Sequence, residues 1–245
     1  MNGTILISDL ETTHRDVDKA GACQVAAVML SGDAEGLPVM QPLFQTYAVP
    51  SEHMSPEALK VHGITPDKYQ YAPSDVMAIW MLRQLVEILP KPVVLSGYNC
   101  TRYDYQLMDK ILPGAGFSTM PQIDVMTLMM RIAPEHGLKL TEVFTRLYPQ
   151  DPLVQTAHDA MADCWMTARV LMDFMKIYQT YDPISLANYC KTPVPCTIMP
   201  YGKYKSRPFE DVPISYLQWM VNKWEDMHPD LAAAMQTRGL RPKTM

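Results

Sequence analysis

The chain has 245 residues, of which 48% are hydrophobic and 19% are charged, and its formal net charge is −5. This length and composition predict a sizeable buried core, in one large domain or in a large domain with a small appendage. The net negative charge excludes a generally basic surface for nucleic acid, so any such surface must be local.

Cysteine content and hydropathy bear on where the protein works. The five cysteines are odd in number and show no C-x-x-C spacing, which favours reduced thiols over a disulfide framework or a zinc site. The N-terminus has no basic segment followed by an apolar one, and no apolar run has the length of a membrane span. We therefore expect a cytoplasmic protein with no membrane partner.

Three apolar strands are predicted near the N-terminus, at residues 4–9, 24–30 and 43–49. Their direct succession predicts an antiparallel meander. A fourth strand is predicted at residues 93–98, where a continuous apolar run suits a central position in a sheet.

Helical patterns alternate with the later strand and then follow it. The predicted helices cover residues 56–62, 75–89, 102–111, 125–132, 141–148 and 160–177. Pro56 and Ser74 are helix-start signals for the first two of these helices. Leading strands followed by a strand interleaved with helices predict an α/β fold, with a mixed central sheet flanked by helices.

The composition changes after Tyr181, and residues 192–195 form a proline-stiffened connector. We therefore predict a main domain at residues 1–181, a linker at 182–197 and a small C-terminal module at 198–245.

Two carboxylates, Asp9 and Glu11, stand two residues apart at the end of the first predicted strand. Side chains at this spacing point to the same face of a strand, and two like charges are costly there unless a cation lies between them. All-oxygen ligands suit Mg²⁺ or Mn²⁺. Taken alone, the pair also fits two solvated acids at the end of an edge strand.

Three further polar residues follow later in the chain. Asp104 lies in the first turn of the helix after the fourth strand, and His158 lies in the loop before the last long helix. Asp163 lies in the first turns of that helix. Each has an ordinary structural explanation too, since acids are favoured at helix starts, Asp159 is a good N-cap, and His158 can be a plain loop residue.

The order of these residues is more informative than any one of them. An Asp-x-Glu on the first strand, a Tyr-Asp pair after a later strand and a His-x₄-Asp opening the last long helix resemble the DEDDh (DnaQ-like) family of 3′→5′ exonucleases, which has a ribonuclease H-like fold. The resemblance spans residues 4–178 and includes residues 59–65 and Asp124. Residues 97–104 and 157–163 are similar to bacterial exonuclease I.

The resemblance implies hydrolysis of a phosphodiester with two divalent cations, Mg²⁺ or Mn²⁺, as cofactors. It implies that Asp9 bridges both cations and that Glu11 and Asp163 complete the site of the attacking water. Asp104 then serves the second cation, and His158 takes the proton from the attacking water as the general base.

The same resemblance implies that the terminal nucleotide of the substrate is held beside the first strand. Main-chain groups of Leu10 and Thr12 would hold it, and the Leu10 side chain would wedge against the last base. Further substrate-binding candidates are Thr13, Asn99 and Tyr103. His14 departs from the family pattern, which commonly has glycine, so the shape of the turn beside the 3′ end is left open.

The C-terminal module begins with a basic and aromatic stretch at residues 199–208. Cations such as Lys203, Lys205 and Arg207, next to tyrosines, are the groups that surfaces for single-stranded nucleic acid use. Alternatively, the rings form the module's own core and the lysines are solvated. The stretch resembles the C-terminal domain of exonuclease X-like proteins, which implies substrate contact through the three cations. The residues expected to pack the module are Tyr216, Leu217 and Trp219.

Together these features predict a metal-dependent 3′→5′ exodeoxyribonuclease that degrades DNA, with single strands favoured, to mononucleotides. An exoribonuclease that trims RNA ends is an open alternative, since nothing in the sequence reads the 2′-hydroxyl. A non-catalytic module that docks nucleic acid or protein is an alternative from a different class, and the presence of all four carboxylates and the histidine argues against it.

Overall fold

The computed structural model describes residues 1–134, 139–156, 158–224 and 227–242. Ala157 of the predicted His-Asp loop and residues 225–226 and 243–245 of the predicted C-terminal module lie outside the described residues. The strands are β1 (Thr4–Thr12), β2 (Ala22–Gly32), β3 (Pro38–Tyr47), β4 (Val93–Gly97) and β5 (Gln122–Asp124). The helices are α1 (Pro56–His62), α2 (Pro66–Tyr69), α3 (Asp75–Ile88), α4 (Asp104–Ile111), α5 (Val125–Ile132), α6 (Leu140–Leu147), α7 (Ala160–Ile177), α8 (Pro183–Lys191), α9 (Ile214–Lys223) and α10 (Pro229–Thr237).

The described strands form one five-stranded sheet in the order β3-β2-β1-β4-β5. Strand β2 pairs antiparallel with β1 and β3, whereas β4 runs parallel to both β1 and β5. The predicted mixed sheet and the predicted N-terminal meander are thus confirmed. Because β1, β4 and β5 are parallel, their carboxyl ends meet at one edge of the sheet, and residues that follow them are brought together there.

The two faces of β1 pack against different helices. Ile5 and Ile7 belong to the core on the α7 side, and Leu6 and Leu10 belong to the core on the α3 and α4 side. Alternation along a strand continues this division beyond Ile7. Asp9 and Glu11 therefore project on the face that α7 covers.

Local capping fixes where the helices that carry polar residues begin. The Asp159 carboxylate accepts hydrogen bonds from the main-chain N–H groups of Met161 and Ala162, both at 3.1 Å. Asp159 is thus the N-cap of α7, as predicted, and it also lies beside Asp163 in the first turn. The start of α7 is set by the sequence itself, because an aspartate at this position satisfies N–H groups that lack helical partners.

Some predicted boundaries differ from the structure. Strand β1 continues to Thr12 rather than ending at Asp9, so both carboxylates lie within it, and β3 begins at Pro38 rather than at residue 43. Pairing with the long neighbour β2 extends both strands, and this long-range pairing leaves no local signal in the sequence.

The segment predicted as a linker begins with a packed helix. Helix α8 buries Leu186 and Ala187 in the same core as β5 and α7. Residues 192–195, the proline-stiffened part, follow after this helix. The division of the chain into two domains stays a prediction, and the structure adds that its main domain includes the packing of α8.

The C-terminal residues have a hydrophobic core of their own. It contains Met199, Phe209, Leu217, Met220 and Leu231, which come from the loop before α9 and from both α9 and α10. The module is therefore mainly helical, and its described β structure is an isolated bridge between Ile198 and Pro208.

Polar contacts attach this module to α5 and α6. The Arg131 guanidinium pairs with the Asp230 carboxylate at 2.6 Å, and their side chains are only 4% and 1% exposed. The Thr127 hydroxyl lies 3.0 Å from Nε2 of His228. The module is thus fixed beside the helices that follow β5.

Within the described part of the chain, no helix combines the length and apolar character that crossing a membrane requires.

Candidate active site

Four carboxylates gather where the parallel strands end. Asp9 and Glu11 lie in β1, Asp104 is the first residue of α4 after β4, and Asp163 lies in the first turn of α7. One ligand atom each of Glu11, Asp163 and His158 lie within 4.8 Å of one another. The charges of Asp163, Asp104 and Glu11 all raise the pKa of Asp9, so the five residues that the sequence order singles out are neighbours in the fold.

Burial and mutual repulsion make this cluster hold its protons tightly. Loss of solvent, followed by the charges of Asp163 and Asp104, raises the pKa of Glu11 to about 8. Burial also raises the pKa of Asp104 to about 7 and that of Asp163 to about 7. For Asp9, burial and then the charges of the other carboxylates raise the pKa well above its ordinary value. Among the described residues, no cationic side chain lowers the pKa values of these four groups enough for all of them to ionise.

The donor set fits divalent cations. Oδ1 of Asp163 is buried and has no hydrogen-bond partner among the described residues, an arrangement that costs free energy unless another group binds that oxygen. The available ligands are carboxylate oxygens, which Mg²⁺ and Mn²⁺ prefer, with one imidazole beside them. Asp9, Glu11, Asp104 and Asp163 could therefore hold such ions.

His158 sits at the exposed rim of the cluster. Its backbone has φ +69°, in the left-handed region that few non-glycine residues adopt. Its main-chain N–H hydrogen-bonds the Asp163 carboxylate, and this bond lowers the pKa of Asp163, although burial outweighs it. The loop before α7 thus places the His158 imidazole next to the Asp163 carboxylate of α7.

A buried glutamine holds this loop from the neighbouring strand. The Gln24 side chain in β2 is 1% exposed; its Nε2 donates to Asp159 Oδ2 at 2.9 Å, and its Oε1 accepts from the Ala160 N–H at 3.1 Å. Both the amide N–H and the amide oxygen of Gln24 therefore hydrogen-bond the two residues that follow His158. This role belongs to no sequence motif, and its signal in the sequence is a polar residue within an apolar strand.

The predicted substrate residues of β1 and the following turn are tied to one another. The Thr12 hydroxyl lies 2.9 Å from the Tyr103 hydroxyl, which also donates to the His14 carbonyl. Nδ1 of His14 accepts the Asp16 N–H at 2.9 Å, so the imidazole caps its own turn. Leu10 is buried, with 7% of its surface exposed. Tyr103 thus braces the turn whose sequence departs from the family pattern.

Two other predicted substrate residues make structural contacts. The Thr13 hydroxyl is buried and accepts the Gly21 N–H at 2.9 Å, which closes the loop between β1 and β2. Asn99 has φ +60°, and its N–H donates to Asp124 Oδ1 at 3.0 Å. Asp124, whose carboxylate also accepts the Met126 N–H, shapes the end of β4, and its charge contributes to the raised pKa of Asp104.

A cavity of about 510 Å³ opens beside His158. Its lining includes His62, Lys68 and Trp165 together with His158 and Gln24. Lys68 lies in α2 and Trp165 lies in α7. Neither residue belongs to a sequence motif, so neither is part of the predicted site. The cavity gives a bound molecule a place next to His158.

The predicted cations of the C-terminal module lie beside α6 rather than in the carboxylate cluster. Lys203, Lys205 and Arg207 are exposed. Lys205 pairs with Glu142 at 3.3 Å, and both side chains of this pair are about 40% exposed. Their part in binding substrate stays a prediction.

Comparison with known proteins identifies the family. The family model described as "Exonuclease" matches residues 6–171, and a second, described as "Putative quorum-sensing-regulated virulence factor", matches residues 193–229. Exodeoxyribonuclease 10 of Escherichia coli (strain K12) is 24% identical over 196 residues, which cover 76% of this chain and 80% of that protein.

Two solved structures share the fold. The zinc-bound complex of E. coli ExoI with single-stranded DNA aligns with a TM-score of 0.60 and 20% identity, over 74% of this chain and 42% of that one. This chain therefore spans less than half of that exonuclease I chain. Exonuclease X in complex with 5′-overhanging duplex DNA aligns with a TM-score of 0.56 and 19% identity, over 76% of this chain and 99% of that one.

The family match runs from β1 into α7 and so contains all four clustered carboxylates and His158. The mixed sheet flanked by helices is the ribonuclease H-like fold that the resemblance predicts. The chain belongs to the DnaQ-like family of 3′→5′ exonucleases.

Proposed function

We propose that the protein hydrolyses DNA from the 3′ end to mononucleotides, with single strands favoured, using two divalent cations and His158 as the general base. The observation that carries this proposal is the cluster of four carboxylates around the end of β1, with His158 at its rim and a buried Asp163 oxygen that has no partner among the described residues. The DNA in the complexes of the similar exonucleases I and X supports DNA as the substrate class.

Asp9, Glu11, Asp104 and Asp163 are the residues that would hold the cations. When bound, Mg²⁺ or Mn²⁺ supplies Lewis-acid activation of the phosphodiester and of the attacking water, and stabilises the leaving 3′ oxygen. The carboxylates contribute fixed negative charge on rigid elements, a strand and two helix starts, so the ligand geometry is set before substrate binds.

His158 is placed to move the proton. A ring nitrogen of His158 lies within 4.8 Å of carboxylate oxygens of Glu11 and Asp163, so a water molecule beside those oxygens can give its proton to the imidazole. The exposed ring then passes the proton to solvent. Gln24 keeps the loop in the conformation that this transfer requires.

A nuclease assay tests the proposal directly. The purified protein is incubated with 5′-labelled single-stranded DNA, recessed duplex DNA and RNA of the same sequence, in Mg²⁺, Mn²⁺ or EDTA. We expect shortening of the DNA from its 3′ end, release of mononucleotides, and no product in EDTA. Equal hydrolysis in EDTA would exclude the metal-dependent mechanism, and faster hydrolysis of RNA would replace the assigned substrate.

The first variant prediction concerns the general base. His158→Gln should lower kcat by about 10²–10⁴-fold, the usual contribution of a positioned base, while Mn²⁺ binding measured by isothermal titration persists. His53→Gln, at an exposed histidine, is the matched control and should retain the wild-type rate. A His158→Gln enzyme with more than half of the wild-type kcat would remove His158 from the mechanism.

The second concerns the glutamine that positions the loop. Gln24→Met keeps the length of the side chain but removes both hydrogen bonds, and we expect kcat to fall about 10–100-fold, as for other residues that orient metal-site groups. KM should change less than kcat, because the Gln24 side chain, although it lines the cavity, is only 1% exposed and makes its hydrogen bonds to the loop. Gln45→Met, on the exposed edge strand β3, should be neutral, and a Gln24→Met rate within twofold of wild type would contradict the positioning role.

A further inference from the structure

The C-terminal module carries a row of aromatic rings, exposed at Trp219 and partly buried at Tyr204 and Tyr216, with cations beside it. The rings of Tyr204 and Tyr216 meet edge to face at 4.8 Å, and those of Tyr216 and Trp219 stack at 5.4 Å with an interplanar angle of 27°. Nζ of Lys203 lies 5.5 Å, and Cζ of Arg207 5.6 Å, from the centre of the Tyr204 ring. We name these five residues the ring-and-cation surface.

Trp219 is not part of the module's core, whereas Tyr204 and Tyr216 pack partly against that core, as predicted for Tyr216. On α9, Leu217 and Met220 are fully buried, whereas Trp219 on the opposite face leaves 48% of its surface exposed. The prediction that this residue packs the module is therefore wrong for much of the indole, while it is confirmed for Leu217. A large ring left half in water next to another ring is an open stacking face.

The surface is held rigid by its own loop. Gly202 has φ +82°, and a Cβ at this position would lie 2.4 Å from the Tyr216 hydroxyl, so only glycine allows this approach. The Tyr216 hydroxyl in turn accepts the Lys203 N–H at 3.1 Å. The loop that carries the cations is thereby fixed on the helix that carries the rings, and little conformational freedom is lost on binding.

The charge of this surface points to a polyanion. Residues 199–208 contain three cations and no acid, in a chain whose net charge is −5. Between Lys203 and Arg207 in the chain, Lys205 pairs with Glu142 of α6 at 3.3 Å, so the loop that carries the cations lies against the main domain.

We infer that the ring-and-cation surface is a second binding site for single-stranded nucleic acid, which holds the strand upstream of the 3′ nucleotide in the active site. Phosphates lie against Lys203 and Arg207, and a base stacks on Trp219, the combination that sequence-tolerant single-strand surfaces use. This inference rests on the proposed function, because it assigns the surface to the same substrate strand.

Binding and hydrolysis are measured separately, so that the two proposals can fail independently. Fluorescence anisotropy in EDTA follows binding of 5′-fluorescein-labelled dT20 without turnover. Trp219→Leu should raise Kd about fivefold or more, whereas Trp80→Leu, at a tryptophan that is 47% exposed on α3, should leave Kd unchanged. Equal Kd values for wild type and Trp219→Leu would overturn the inference, as would an equal loss in Trp80→Leu.

The cations are tested by salt dependence. The double variant Lys203→Gln/Arg207→Gln should lower the slope of log Kd against log salt by about 1.4, since each phosphate contact to a single strand contributes about 0.7. An unchanged slope would overturn the assignment of these two cations. If poly-glutamate at equal charge concentration displaces dT20, the surface binds polyanions in general. That result would also overturn the assignment of the surface to single-stranded nucleic acid.

Hydrolysis of substrates of two lengths completes the test. In Mg²⁺, Trp219→Leu should raise KM for dT20 but leave kcat/KM for dT3 unchanged, because dT3 has only two nucleotides upstream of the one that is removed. Loss of both would show damage to the active site and overturn the inference. Wild-type protein that binds dT20 through Trp219 but hydrolyses nothing in any metal would instead overturn the proposed function.

Discussion

Glu11→Gln is expected to abolish hydrolysis and, at the same time, to stabilise the metal-free protein. Glutamine fills the same volume but offers no charge to a cation, so kcat should fall at least about 100-fold. In the metal-free protein, however, Glu11 is buried beside three other carboxylates, and its ionisation there is unfavourable. Removal of this charge relieves both burial of an ion and repulsion between like charges.

The direction of the pH dependence follows from the raised pKa values. Burial raises the pKa of Glu11 from 4.5 to about 8, and raises those of Asp104 and Asp163 from 3.8 to about 7. Between pH 4 and pH 8 the folded metal-free protein therefore binds more protons than the unfolded chain. The free energy of unfolding should fall as pH rises through this window and level off above it.

Chemical denaturation in EDTA at pH 5 and pH 8 measures this effect. We expect wild-type stability to drop by a few kcal/mol between the two pH values, and Glu11→Gln to lose much less; the shift for Glu11 alone corresponds to at most about 5 kcal/mol. Saturating Mn²⁺ should restore the free energy of unfolding of wild type at pH 8, but it should not raise that of the variant. Glu35→Gln, in an exposed turn, is the control and should follow wild type in every condition.

Two results would contradict this account. If Glu11→Gln is less stable than wild type at pH 8 in EDTA, the carboxylate is already compensated by another group. If the variant retains activity, Glu11 does not serve the cations. The combination of lost activity and gained stability is what separates a metal ligand from a residue that only supports the fold, whose loss would lower both.

The sequence was most informative where local pattern and fold agree. The Ile5-Leu6-Ile7 run predicts the buried strand β1, and Asp159 predicts the start of α7, because alternation and capping act over a few residues. The order of the acids in the chain predicted the rest of the site. The acids lie at the end of β1, directly after β4 and at the start of α7, and these places determine the edge of the sheet at which they meet.

Other elements leave too little local signal. Strand β5 has three residues, fewer than an alternation pattern needs. Helix α8 has a capping aspartate, Asp182, and a proline in its first turn, but only Pro183, Leu186 and Ala187 are buried, so its period is hard to detect. Helix α10 buries Ala232 and Ala234 together with Leu231 and Met235, which lie on more than one side of the helix and hide its period.

The positioning of His158 could not be read from sequence for a different reason. Gln24 and Asp159 are 135 residues apart in the chain, and their hydrogen bond exists only because β2 runs beside β1 and beneath α7. No fixed sequence spacing relates a side chain to a distant loop with which it hydrogen-bonds. Such contacts are found in the folded structure, and in the sequence only as a polar residue where a strand should be apolar.

Arg131→Met is expected to destabilise the protein by about 3–5 kcal/mol, the cost of leaving a buried partner charge uncompensated. Arg131 donates to both oxygens of Asp230, at 2.6 and 2.8 Å, and also to the carbonyl of Thr192 at 2.9 Å. The same Asp230 carboxylate accepts the Val194 N–H at 2.9 Å. One ion pair therefore joins α5, the proline-stiffened connector and α10.

Because this pair is at the junction, its loss should free the C-terminal module before the main domain unfolds. In Arg131→Met, limited proteolysis should cleave near residues 192–197 under conditions that leave wild type intact. Hydrolysis of dT3 should persist, since the carboxylate cluster lies on other elements. Lys19→Met, in a pair at 3.0 Å whose side chains are 68% and 42% exposed, is the matched control and should cost no more than about 1 kcal/mol.

A double variant separates the value of the pair from the cost of breaking it. Arg131→Met/Asp230→Asn removes both charges, keeps a side-chain acceptor for the Val194 N–H of the connector, and should be more stable than Arg131→Met alone. If the losses in the free energy of unfolding caused by Arg131→Met and by Asp230→Asn simply add in the double variant, the two charges do not interact in solution. The module is then held by its apolar contacts. If the double variant recovers stability and protease resistance, the buried charge of Asp230 is what makes Arg131 necessary.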